Sequence, residues 1–95
     1  MTPNRLEDRL RRTTKAAWQE LDGEVVLLVS EEQKLLGLNS VAGRIWQLAD
    51  GNRTVDEIVG ILAREFDGAE DAIRRDASSF VDRLIERGLI ERCGS

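Results

Sequence analysis

A chain of 95 residues makes one small domain, and a core of that size leaves a net stability of only a few kcal/mol. With no His, no Tyr and a single Cys next to the carboxyl end, it lacks nucleophile-base pairs, a zinc cluster and an internal disulfide. The net charge of −4 argues against a nucleic-acid-coating protein. The longest apolar run, Val25 to Val29, is of strand length and too short for a membrane helix.

In chain order, Met1 to Lys15 carries Arg5, Arg9, Arg11, Arg12 and Lys15 against Glu7 and Asp8, so this end is positive and the remainder strongly negative. Leu6 and Leu10 stand at helical spacing with little else apolar, which predicts a flexible basic N-terminal arm over 1–15 and a folded domain over 16–92. Ala16 to Leu21 reads as a first strand. Asp22-Gly23 is a hairpin signal, because a type I′ turn needs positive φ at both central positions. Val25 to Val29 follows as a strand apolar on both faces. Such a strand is central in its sheet, or has one face covered by something other than this domain's own helices. Ser30 to Gln33 makes a second turn, and Lys34 to Leu38 closes an antiparallel meander.

Asn39 or Ser40 then caps a helix from Val41, with Val41, Ile45, Trp46 and Leu48 on one face, and Trp46 reads as core. That helix stops near Asp50, and Gly51 suits the left-handed position just past its end. Thr54 and Glu57 form a capping box that opens a second helix, Val55 to about Phe66, with Val55, Ile58, Val59, Leu62 and Phe66 inward. Asp67 with Glu70 caps a third helix that runs to about Arg87 before Gly88. On it Ile73, Ala77, Phe80 and Leu84 share one line, and Val81 and Ile85 lie round to one side. Leu89 and Ile90 fold back onto the preceding turn or pair as a short strand. The fold class is α+β, winged-helix-like, a three-stranded antiparallel β-meander followed by three α-helices.

The paired carboxylates Asp56/Glu57 and Glu70/Asp71 sit in first turns of helices, where the helix dipole accounts for them without any reaction. No catalytic residue, metal ligand or cofactor is therefore expected. The reading is a cytoplasmic binding module with Cys93 reduced.

Gly37-Leu38-Asn39, Ile45-Trp46, Asp50-Gly51, Thr54-Val55 and Glu57-Ile58, in this order and spacing, resemble the PqqD-like proteins. These are recognition elements that bind leader peptides of ribosomally made, modified peptides, and the resemblance runs from about Leu21 to Ile90. It implies a leader peptide laid as a fourth strand beside the third strand and against the third helix. It also implies a complex presented to a modifying enzyme such as a radical-SAM protein or a leader peptidase. The expected peptide-binding residues are Lys34, Leu35, Leu36, Gly37 and Leu38, whose outward backbone groups lack partners. On the third helix Val81 and Ile85 form an apolar flank with Ala77 and Ser78 alongside, and Arg74 or Arg75 is placed to meet a leader carboxylate. Members of the pyrroloquinoline-quinone pathway tend to carry a Tyr-Pro-Glu-Gly-Met-like stretch before Leu-Asn. Val29 to Gly37 has neither Tyr nor Pro, which moves weight toward a generic or lasso-peptide-type recognition protein and leaves quinone-cofactor biosynthesis open.

Two other classes fit the same elements. A winged helix that binds DNA needs a basic third helix, but Glu70, Asp71, Asp76, Asp82 and Glu86 offset Arg74, Arg75, Arg83 and Arg87 in a chain of pI about 4.8. A dimerisation module would use Val25 to Val29 and Val81/Ile85 against a second copy. A monomer-dimer mixture is the expectation for that, and it is compatible with peptide binding.

Overall fold

Residues 8–29 and 31–93 are described by a computed structural model. The order is β1 (Arg9–Arg12), β2 (Ala16–Leu21), β3 (Glu24–Val29), β4 (Lys34–Leu38), α1 (Ser40–Leu48), β5 (Asp50–Thr54), α2 (Val55–Glu65), α3 (Glu70–Glu86) and β6 (Ile90–Cys93). Residues 1–7 of the expected arm, Leu6 included, lie outside the described residues, as do Ser30 of the second turn and the Gly94-Ser95 tail.

The expected meander forms as the antiparallel sheet β2-β3-β4. Asp22 and Gly23 take φ of 53° and 82°, as their hairpin turn requires. In this register Leu27 lies between Trp18 and Leu36, and Val25 between Glu20 and Leu38. Side chains alternate across a strand, so this row turns inward, and Val25, Leu27 and Val29 are buried. The alternate row places Leu28 between Ala17 and Leu35, and Leu28 and Leu35 are exposed. The two apolar faces of β3 therefore have separate fates. β3 is central, one face builds the core, and the other lacks a covering helix among the described residues.

Residues 9–12, expected in a flexible arm, are instead the middle strand of a second antiparallel sheet, β5-β1-β6. Leu10 is the cause, since it is fully buried in the core. Hydrogen bonds hold the strand's exit: Arg12 N–H donates to Ala49 O at 3.0 Å and Thr13 N–H to Leu89 O at 2.9 Å. The Arg12 guanidinium donates to Trp46 O and Gln47 O, each at 2.9 Å, and so adds donors to carbonyls at the end of α1. Asp50 to Thr54, expected to be a turn, is the strand β5. Gly51 has the positive φ expected of it, 90°. It lies with Asn52 in a bulge, between the partners of the adjacent residues Leu10 and Arg11. Leu89 is buried and Ile90 starts β6, the second of the two outcomes expected for this pair.

The caps follow the sequence at two helices and depart from it at the third. Asn39 caps α1, its Oδ1 accepting from Ala42 N–H at 2.8 Å. Thr54 Oγ1 accepts from Glu57 N–H at 3.1 Å, and Thr54 N–H donates to Glu57 Oε1 at 3.2 Å, which completes the capping box of α2. Thr54→Ala should cost about 1 kcal/mol in urea unfolding, and an unchanged midpoint would contradict the box. Asp67 does not cap α3. The N-cap is Ala69, which has no side-chain bond to offer.

Core packing gathers Leu10, Leu27, Ile45, Trp46, Ile58 and Leu62 from both sheets and two helices. Gly43 sets how closely α1 approaches β3, because a Cβ there would lie 3.1 Å from Val25 Cγ2. Arg44 bridges α1 to α2 by donating to both Glu65 oxygens at 2.8 to 3.1 Å. Hydrogen bonding from that guanidinium holds the Glu65 carboxyl below its ordinary range. The bridge therefore contributes at neutral pH and is lost as pH falls through the lowered value.

Candidate functional site

Among the described residues, β4 is an outer strand of its sheet, bonded to β3 on one side only. Its free backbone groups form a template for one more strand. Lys34, Leu35 and Gly37 are exposed, and Leu36 and Leu38 are half-buried on the inward face, where they pack on the core. Beyond Leu38 the chain borders a groove of about 650 Å³ between the start of α1 and one face of α3. Val41, Ile45, Phe66, Ile73 and Phe80 give it apolar walls, and Asn39, Ser40, Asp76, Ser79 and Arg83 give it a polar rim. At the other end of β4, Glu32 of the β3–β4 turn pairs with Arg87 just past α3. Both ends of β4 are thus anchored beside α3, and the two elements run in opposite directions.

Lys34 to Leu38 form the outer strand β4, and the residues expected on α3 do not line the groove. Val81 and Ala77 are 3% and 1% exposed, inside the core. Arg74 is held by Asp56 of α2 at 2.7 Å and by Glu70 at 3.6 Å. Ser78 and Ile85 are half-buried, and Arg75 is exposed without lining the groove. At 100° per residue, positions 74, 78, 81 and 85 share the flank of α3 that carries the contact to α2, whereas 73, 76, 80 and 83 fall on the opposite flank. The extra apolar arc at Val81 and Ile85 is there for internal packing. The sequence did hold a signal for the groove face: Phe80 and Ile73 share a stripe with Asp76 and Arg83, and an aromatic residue flanked by charges marks a boundary between core and water.

Of the basic residues of the N-terminal stretch, Arg11 is paired within the fold, as are two arginines elsewhere in the chain. Arg11 pairs with Glu91, Arg92 with Asp82 at 3.4 Å, and Arg53 with Asp50 at 2.6 Å. Each pair takes one cation away from phosphate neutralisation. The self-association surfaces expected at Val25 to Val29 and at Val81 are also largely consumed, since Val25, Leu27, Val29 and Val81 are core. Leu28, Leu35 and Leu21 remain exposed on the outer face of the sheet. Glu24 stands on that face, with Asp22 and Glu31 in the turns at its ends, and pressing two copies together there would appose like charges.

An edge strand beside an apolar groove is one way for a protein to hold an extended peptide, and relatives with this fold bear on that use. The family model of Coenzyme PQQ synthesis protein D (PqqD) matches residues 24–90, from β3 to the first residue of β6. The chain belongs to the PqqD family. The PqqA binding protein of Rhizobium meliloti (strain 1021) is 30% identical over 83 residues, covering 87% of this chain and 83% of that protein. Among solved structures, TbiB1 in complex with the TbiA(beta) leader peptide has a TM-score of 0.76 and 27% identity, covering 90% of this chain and 99% of that one. Lasso peptide synthetase B1 complexed with the leader peptide has a TM-score of 0.75 at 22% identity, covering 87% and 98%, and shares the fold.

Most of the positions that carry the PqqD resemblance build the scaffold around the groove. Asn39 caps α1 and borders the groove, Trp46 fills the core, and Thr54 with Glu57 starts α2. These positions thus help to fix where the groove lies, and α3 supplies one of its walls.

Proposed function

We propose that this PqqD-family chain binds the leader segment of a ribosomally made precursor peptide and presents it to a modifying enzyme such as a radical-SAM protein or a leader peptidase. The peptide adds a fourth strand at β4 and buries an apolar side chain against Ile73, Phe80 and Phe66. Backbone pairing supplies affinity with little sequence preference, and the groove supplies selection. The observation that carries this reading is the juxtaposition of a strand with an open outer edge and an apolar groove along α3. The PqqA-binding relative and the leader-bound TbiB1 structure support it. The chain itself performs no catalysis in this scheme and works in the cytoplasm. No helix among the described residues is long and apolar enough to cross a membrane.

Phe80→Asp places a carboxylate in the groove wall, and should weaken binding of the cognate leader at least tenfold in a fluorescence-anisotropy titration. Phe80 is only half-buried, so the variant stays folded by circular dichroism. Unchanged leader affinity in a folded Phe80→Asp protein would contradict the proposed site.

A further inference from the structure

We infer that the groove selects a charge order along the peptide: a cationic residue on the N-terminal side, and an acidic residue on the C-terminal side, of the apolar side chain that it buries. The inference rests on the peptide-binding reading above and adds to it the chemistry and direction of the segment.

Of the residues lining the groove, two are charged, Asp76 and Arg83. Both are exposed on α3, and neither forms an ion pair among the described residues, whereas Arg74 and Arg87 on or beside the same helix are paired. Phe80 lies between them in sequence, so the apolar wall is bracketed by an anion toward the start of α3 and a cation toward its end. Seven helical residues place the two about 10 Å apart along the axis.

Direction follows from the sheet. β2, β3 and β4 pair antiparallel throughout, and antiparallel addition is the slightly more stable continuation. β4 starts beside Arg87 and ends beside the groove, opposite in direction to α3, so a strand antiparallel to β4 runs in the direction of α3. Its N-terminal part meets Asp76 and its C-terminal part meets Arg83. Groove-facing side chains of a strand recur every second residue. Positions two before and two after the buried one therefore span about 13 Å, which flexible charged side chains bring to the helix. The matching segment reads Lys or Arg, any residue, apolar, any residue, Asp or Glu.

Two fluorescein-labelled synthetic peptides, TVKTFTDVT and TVDTFTKVT, test this by anisotropy at low salt, because they have the same composition and net charge and differ only in order. The first should bind about fivefold tighter, as expected of two exposed ion pairs replaced by two repulsions, and the gap should shrink as salt is raised. The double variant Asp76→Lys/Arg83→Glu should reverse the preference. Equal affinity for the two peptides, tighter binding of the second, or a preference unmoved by the double variant would overturn the charge-order inference and leave strand addition standing. Binding of neither peptide would also overturn it, and binding of the cognate leader in the same assay would leave the reading on which it rests standing.

Discussion

Leu10→Ala should lower the stability of the domain by about 2 to 5 kcal/mol, and deleting residues 1–12 should leave the rest of the chain unfolded. Leu10 is fully buried, and its strand is the middle one of β5-β1-β6. Removing the strand exposes edges of both β5 and β6, takes the Arg12 donor from the carbonyls of Trp46 and Gln47, and opens the core between the two sheets. A domain with only a few kcal/mol of net stability does not survive such a loss. Urea unfolding followed by circular dichroism measures the effect. A truncated protein with the melting temperature of the full chain would show that residues 9–12 do not dock in solution.

Trp46→Ala should be still more damaging, costing about 3 to 5 kcal/mol, because Trp46 is the largest fully buried side chain and sits where α1 meets both sheets. Trp18 meets its ring edge-on, with centroids 6.4 Å apart, and the Arg12 guanidinium lies 5.1 Å over the Trp18 ring. The indole thus belongs to a stack that joins β1, β2 and α1. The Trp46 indole Nε1 has no hydrogen-bond partner among the described residues, so Trp46→Phe removes a donor that gains nothing from burial and should be far milder than Trp46→Ala. A Trp46→Ala protein that unfolds with wild-type cooperativity and midpoint would place this residue outside the core.

What the sequence revealed and what it hid divide along physical lines. The meander, the capping box and Trp46 were legible because each depends on neighbours in sequence: alternation along a strand, a reciprocal bond over three residues, a periodic face. β1 was not. A strand with one apolar residue among three arginines has no period, and what orders it are β5 and β6, some forty and eighty positions away. β5 was hidden for the same reason, since Asp50-Gly51-Asn52 has turn chemistry and its bulge uses that chemistry inside a strand. The candidate site followed the same rule. β4 was legible as an outer strand because that follows from strand count. The expectation on α3 named a different flank from the groove, because an asymmetric apolar arc does not say which side a neighbouring element takes. Val81 lies in the core with Ile85 packed against it, and Ile73 and Phe80 line the groove.

The central claim is that an extended leader peptide lies between β4 and the Ile73/Phe80 face of α3. Backbone amide chemical shifts of the labelled protein, followed during titration with its cognate leader, test it most directly. The largest changes are expected at Lys34 to Leu38, with a second set at Ile73, Asp76, Phe80 and Arg83. Shifts confined to the β5-β1-β6 sheet, or to the α2-facing side of α3 at Arg74, Ser78 and Ile85 while β4 stays still, would contradict it.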